Sequence, residues 1–318
     1  MGSNSTVDLG ALQGTREATS ARQAMHREKV SAFSLSKLSL QLLFACTVLT
    51  PVAALGQALP TGGSFVAGTG RIDSGSRTVT ITQSSGHGVI DWQGFSVGKG
   101  RSVQFNNGTG ATLNRVTGGQ VSEIAGKVNA TGSLFLINPN GVVVAPGGKV
   151  VVDGSFTAST RDTGDRDFMA GGAVTLSGAS NGVVTNKGTI YAKNGSVTLV
   201  GRSVSNTGTI RADHDAVAMV AGDTVILADK NERDGIFVKT KAATTGDVTN
   251  SGRIKATSAE LRSVGGNVYA LAGNHNGVIT ATGVVDGSGG VYLTADEGTV
   301  SVSGTLAAVP ASVFETSG

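Results

Sequence analysis

Val184-Thr-Asn186-Lys-Gly188-Thr-Ile190-Tyr-Ala192 is followed by Val204-Ser-Asn206-Thr-Gly208-Thr-Ile210-Arg-Ala212 and later by Val248-Thr-Asn250-Ser-Gly252-Arg-Ile254-Lys-Ala256. In each copy apolar and polar residues alternate at period two, in short runs that Asn or Gly interrupts. That pattern belongs to short strands joined by turns, not to helices. The first two copies lie 20 residues apart. A unit of that size holds two or three strands and cannot bury its inward face alone, but it can do so against the next copy. The predicted fold is all-β, a parallel β-helix.

A second element, an alternating apolar pair, appears at Val174/Leu176, Val197/Leu199, Val217/Met219, Val268/Ala270 and Val291/Leu293, with spacings of 23, 20, 51 and 23. The value of 51 fits two turns plus an inserted loop. Weaker relatives occur at Val103/Phe105, Leu134/Leu136 and Gly304-Thr-Leu306. About 260 residues at 20 to 25 per turn give roughly ten coils, and at about 4.8 Å per coil a rod of about 50 Å. Asn186, Asn206 and Asn250 occupy one repeat position, two places before Gly188, Gly208 and Gly252. Stacked in register they form a hydrogen-bonded asparagine ladder, with the glycines expected to supply unusual backbone angles.

Composition agrees. The 318 residues include 48 glycines, about twice the usual share, while charged residues reach 15% and aromatics 4%. With 39% hydrophobic residues and 5 prolines, the chain is neither a charge-laced helical protein nor a collagen or proline-rich linker. The first 58 residues hold five of the 25 Lys and Arg and three of the 22 acids, so the remainder carries a net charge of +1. Such a balance offers no footprint for nucleic acid.

The N-terminus reads as an export signal. Residues 1–24 are polar and without hydrophobic period, as expected of an over-extended start site. Residues 25–58 run from Met25 through His26, Arg27, Lys29 and Lys37 into the apolar stretch Leu38 to Leu55, then Gly56-Gln57-Ala58, with cleavage expected after Ala58. The stretch is short for a membrane span, contains Gln41 and is interrupted by Pro51. The single cysteine, Cys46, lies inside it, so the mature chain has none and no disulfide locks it before it crosses a further barrier. Leu43-Phe44-Ala45-Cys46 is a weak lipoprotein signal, with Phe44 bulky for that use.

Residues 59–157 gather Phe65, Trp92, Phe95, Phe105, Phe135 and Phe156. They are expected to form an N-terminal cap and the first coils, since an open solenoid end exposes edge strands; an aromatic ligand site is the competing reading. Residues 158–318 continue the repeats, as the start of a longer exoprotein.

Val89-Ile-Asp-Trp92-Gln-Gly-Phe95-Ser-Val97, Val103-Gln-Phe105, Leu113-Asn114-Arg115-Val116, Ile124-Ala-Gly126 and Leu134-Phe-Leu-Ile-Asn138-Pro139-Asn140-Gly141-Val142 resemble the two-partner secretion domain of the filamentous haemagglutinin family. The branch of high-molecular-weight adhesins is most similar, and Gly154-Ser-Phe156-Thr-Ala-Ser-Thr160 and Glu315-Thr-Ser-Gly318 also resemble it. The resemblance implies a right-handed β-helix. It also implies an exoprotein that crosses the inner membrane by its signal, is recognised unfolded by the periplasmic domains of an outer-membrane pore, and folds outside at the bacterial cell surface. Asn138, Pro139, Asn140 and Gly141 match the secretion motif, and Asn114 and Arg115 a second marked segment. A further asparagine-proline motif of the haemagglutinin branch is absent, and Val152-Asp153-Gly154-Ser155 replaces an asparagine-rich turn. The residues alone describe Asn138 to Gly141 as a tight turn after the strand Leu134 to Ile137, with Pro139 fixing one backbone angle. Folding of the first coils and direct recognition thus both remain open for the motif.

The implied partners are the pore and a host-cell or glycan ligand, with the membrane met only in transit; no cofactor or metal is called for. The payload reads as an adhesin, with a contact-delivered toxin or a haem-protein binder as the alternative. The rival class is a polysaccharide-degrading enzyme, suggested by Gly86-His87-Gly88 and Arg253-Ile254-Lys255. It needs paired carboxylates for which the sequence gives no motif, and the repeat predicts Ile254 inside with its flanks in solvent. Asp162, Asp165 and Asp167 with Arg161 and Arg166, and the run Asp229 to Gly235, lack calcium-loop spacing and read as solvated loops. His87, His214 and His275 are too scattered for a metal or nucleophilic site.

Overall fold

The computed structural model describes residues 58–227, 238–241 and 246–263, and strand segments at 271–274, 278–281, 290–295, 299–302 and 305–308. The signal segment, Val268/Ala270 and the run from Asp229 to Gly235 lie outside these residues.

The chain winds into a right-handed parallel β-helix. Each coil visits three sheets in turn. Val183–Asn186 lies in the first sheet, Thr189–Ala192 in the second and Val197–Gly201 in the third; Ser203–Asn206 then returns to the first. Val184 pairs with Val204, Ile190 with Ile210 and Val197 with Val217, all parallel and in register, giving a coil of 20 residues. Register is held because a slip of one residue would turn every inward side chain outward. The inward residues form one continuous core of small aliphatics, among them Val79, Val103, Val128, Val150, Ile190, Ile210 and Ile254 in the second sheet.

The cap is two antiparallel strands. Ser64–Ala67 pairs with His87–Trp92, and Gly70–Ser74 with Thr78–Gln83, so each covers an edge that would otherwise template foreign strands. Leu59, Phe65 and Ile72 pack onto the exposed end of the core. Three of the aromatics gathered here pack on one another in the core. Trp92 meets Phe95 edge-on at 5.5 Å and Phe95 stacks on Phe105 at 6.4 Å, all buried.

One expectation is corrected, and one strand is added to the repeat pattern. Val174/Leu176 is not a coil strand: Val174–Ser177 pairs antiparallel with Thr224–Leu227, which pairs antiparallel with Val238–Lys241. The coil strand after Val217–Ala221 is Ser258–Ser263, with Val217 paired to Ala259 and Met219 to Leu261. Ser258–Ser263, which the repeat pattern did not mark, thus lies one coil and a long insertion after Val217–Ala221. Period-two alternation marks a strand with one buried face and does not say which neighbour buries it.

The insertions at residues 160–182 and 222–247 interrupt coils between the third and first sheets, and their described parts fold back over the third. Phe168 from the helix Asp165–Ala170, with Val174, Leu176 and Val225, packs on the outward residues Val89, Leu113, Ile137, Val200, Ala218 and Val220. The third sheet is thus buried on both faces. The loop around Asp162 is accordingly no solvated protrusion: Arg161 is fully buried and Asp162 and Asp165 are ion-paired.

The ladder glycines also differ from expectation. Gly188, Gly208 and Gly252 are absent from the positive-φ set; what they supply is room. A Cβ on Gly208 would lie 2.2 Å from the Gly188 carbonyl oxygen, and one on Gly252 the same distance from that of Gly208. Gly208→Ala should therefore destabilise the folded chain by about 1–3 kcal/mol, read as a lower urea midpoint; an unchanged midpoint would mean that coil spacing relaxes freely.

Glu260 points outward from the third sheet, buried, with Arg262 Nε donating to it at 2.7 Å and its other oxygen unpartnered. Burial pushes its carboxyl pKa up, and the hydrogen bond and charge of Arg262 only partly oppose this. The native state then holds the proton more tightly than the unfolded chain, so this group's contribution to stability declines as pH rises from the ordinary value of 4.5 through the raised native value. Glu260→Gln should gain in melting temperature relative to the wild type across that rise; a constant difference at all pH values would contradict this.

Candidate functional site

Asn138 ends the strand Ser133–Ile137 and begins the turn to Val142–Val144. The Gly141 amide donates to the Asn138 carbonyl at 3.0 Å, closing a four-residue turn with Pro139 second, the position its fixed φ suits. Gly141 has φ 122°, and Val183 O would lie 3.0 Å from a Cβ there, so glycine is required. The Asn138 side chain is fully buried. Its Nδ2 donates to Gln120 O at 2.8 Å and Ser122 Oγ at 2.9 Å, while Oδ1 accepts from the Asn140 backbone N–H at 2.9 Å and Asn140 Nδ2 at 3.0 Å. Both ends of the amide are consumed. Pro139 and Asn140 are exposed, beside a groove shared with Val121, Ser180 and Asn181. Ser180 Oγ donates to the Pro139 carbonyl, tying the turn to the first insertion.

Asn114 and Arg115 are adjacent and face opposite ways. Asn114, fully buried, pairs in register with Ile90 and Leu136 of the inner core; its Oδ1 accepts from Trp92 Nε1 at 3.0 Å and its Nδ2 donates to Phe135 O at 3.2 Å. A polar interior position is thereby satisfied, and the one tryptophan is fixed. Arg115 faces outward and pairs with Asp162 at 2.8 Å, Asp165 at 2.7 Å and Asp91 at 3.2 Å, and donates to Thr163 O at 2.9 Å. Burial disfavours its charge, but the hydrogen bonds and charges of Asp165 and Asp162 outweigh that and raise its pKa. Arg115 thus pins the first insertion to the third sheet.

Asn186, Asn206 and Asn250 stand in register and fully buried. Asn186 Nδ2 donates to Asn206 Oδ1, and Asn206 Nδ2 to Asn250 Oδ1, each at 2.7 Å. Asn186 and Asn206 Oδ1 also accept from the Gly188 and Gly208 amides at 3.2 Å. Val144 precedes the ladder in this register and Asn274 follows it. At the expected cleavage point, the Ala58 carbonyl accepts from the Gly98 amide at 2.8 Å, a bond that a mature chain starting at Leu59 would lack.

The TPS secretion domain family profile matches residues 56–308. The chain belongs to this family. A heme/hemopexin-binding protein of Haemophilus influenzae strain Rd is 32% identical over 277 residues, 83% of this chain but 30% of the relative. A second protein of that name from Haemophilus influenzae is 41% identical over 86 residues, 26% of this chain and 9% of the relative. The crystal structure of the HMW1 secretion domain from Haemophilus influenzae superposes with a TM-score of 0.68 at 29% identity, covering 79% of this chain and 67% of that one. A filamentous hemagglutinin secretion domain, 18% identical with a TM-score of 0.50 over 80% of this chain and 98% of that one, shares the fold. The chain thus spans under a third of the length of the curated relatives it matches. TPS secretion domains are export modules of exoproteins, and membership implies a partner TpsB transporter in the outer membrane.

Within this TPS domain, sequence reasoning passed over Arg161. Its Nε donates to Gly222 O at 2.8 Å, Nη1 to Ser180 O at 2.6 Å and Nη2 to Asp223 at 3.0 Å, so it joins the two insertions. Burial lowers its pKa and the charge of Asp223 opposes this. Only its place among acids drew notice to it, and that suggested solvent. Also missed was the buried network at the first coils, in which Thr112 Oγ1 donates to Gln83 Oε1 at 2.8 Å and accepts from Asn107 Nδ2 at 3.0 Å. Asn206→Ala should break both ladder bonds and leave the Gly208 amide only its 3.2 Å bond to the Asn186 carbonyl, costing about 2 kcal/mol in urea unfolding. A loss below half of that would show that water or neighbouring groups replace the ladder.

Proposed function

We propose that this chain is the export-recognition and folding module of a longer exoprotein. The segment around Asn138 to Gly141 is read by the periplasmic domains of the TpsB pore while extended, and the chain then folds coil on coil outside the cell. One observation supports this most directly. In the fold, the Asn138 amide is buried with both ends bonded, so a partner that reads this side chain must do so before folding. Neighbour-only stacking makes sequential folding of the emerging chain feasible, and each completed coil opposes its return. An extended segment also suits strand addition to a partner's sheet edge.

The payload is read as a surface adhesin, with the HMW1 secretion domain as the structural support. The second reading, a haem-protein-binding exoprotein, is favoured by the 32% identity to a heme/hemopexin-binding protein. An enzymatic role finds no support in the two tripeptides. Ile254 is buried between exposed Arg253 and Lys255, and His87 packs edge-on against Phe168 at 5.7 Å.

Co-expression with the cognate pore tests the proposal when secreted fraction and stability of the purified chain are measured separately. Asn138→Ala should lower stability by about 1–3 kcal/mol and secretion with it. Asn140→Ala, altered at the surface, should reduce secretion severalfold while costing less than about 1 kcal/mol. Secretion that merely tracks stability in both variants would make the motif a folding turn alone.

A further inference from the structure

The near-neutral charge of the chain hides a segregation that only folding produces. The corner between the first and second sheets, taken with the first residue of the second-sheet strand that follows it, comprises residues 98–102, 125–127, 145–149 and 187–189 in four successive coils. These segments contain Lys99, Arg101, Lys127, Lys149 and Lys187 and no Asp or Glu. Acids instead occupy the other corners, as with Asp153 and Asp213 after the second sheet and Asp162 and Asp165 after the third. Lys127 and Lys149 are paired in register on neighbouring strands, both exposed. Like charges so placed destabilise a sheet. Among the described residues none of Lys99, Lys127, Lys149 and Lys187 has an ion-pair partner, and Glu123, the acid of the adjoining strand, pairs with none of them. Along the first three of these coils lies a cavity of about 300 Å³ lined by Lys99, Arg101, Ser102, Lys127 and Gly147.

We infer that this corner is a binding site for a linear acidic glycan, one carrying sulfate or carboxylate groups along a single thread. The row is narrow, and its step of about 4.8 Å per coil is of the order of one sugar residue in an extended polysaccharide. It lacks what other polyanions require. No aromatic side chain lies in the four segments to stack bases, and the exposed large hydrophobics, Val66, Val121, Val183 and Leu306, all lie outside them, so nothing there inserts into a membrane. The cations are distant in sequence and align only after winding. The ligand is therefore met by the folded protein, in contrast to the pore, which reads the extended chain.

The test uses the purified folded chain and does not depend on secretion. Binding to immobilised heparin, as a linear sulfated glycan, should fall as salt rises and weaken about tenfold in the double variant Lys127→Gln, Lys149→Gln. Lys193→Gln, which removes the partner of Asp153 at a different corner, should leave it unchanged. Because the double variant relieves repulsion, its melting temperature should hold or rise, whereas a structural role for the lysines would lower it. Heparin binding that survives the double variant would overturn the inference. So would binding of oligo-dT, or of phosphatidylglycerol vesicles, as tight as that of heparin at the same salt concentration.

Discussion

The coils must lie directly over one another, because no coil has a core of its own. Val184, Ile190 and Val197 are buried only because Val204, Ile210 and Val217 stand above them in register. Parallel strands about 4.8 Å apart leave little latitude at the corners, so the Gly188 carbonyl occupies the space that a side chain on Gly208 would need. The same spacing brings Asn186, Asn206 and Asn250 within hydrogen-bond reach. One geometric requirement thus fixes the aliphatic interior, the glycines and the ladder together. It also leaves two open ends, and the antiparallel strands Ser64–Ala67 and Gly70–Ser74 cover the first.

How much of this was legible depends on whether a residue's role repeats. The ladder stood out because each coil uses the same position for the same purpose, and Ile190, Ile210 and Ile254 were visible for the same reason. Arg115 and Arg161 have no repeat counterpart. Their partners, Asp162, Asp165 and Asp223, are close only because two insertions fold back on the third sheet, and such long-range pairing leaves no local pattern. Val174 and Leu176 show the opposite failure. They carry a faultless strand alternation, yet bury their side chains on the outer core.

The segment Asn138 to Gly141 was legible as a turn and by family likeness, but the burial of Asn138 was not. Pro139 and Gly141 announce a turn in any context, while the enclosure of Asn138 depends on Gln120 and Ser122 from the preceding coil. The folded turn spends the same atoms that an unfolded recognition motif would offer. On the proposed reading, folding would erase the signal, since the wound chain presents no free amide atom at Asn138.

The insertions bear on the same sequence of events. Coils made only of neighbour contacts can open one at a time from a free end. Arg161 links residues 61 and 62 positions away in sequence, and the outer core joins Val89 to Val225. Both contacts need several coils to be in place before they form. They convert a stack that could grow or fray coil by coil into a unit whose first six coils resist opening together, and among the described residues they do so over the third sheet. Contacts that span several coils can close only once those coils are wound, so easy growth and resistance to fraying rest on different contacts in the same chain.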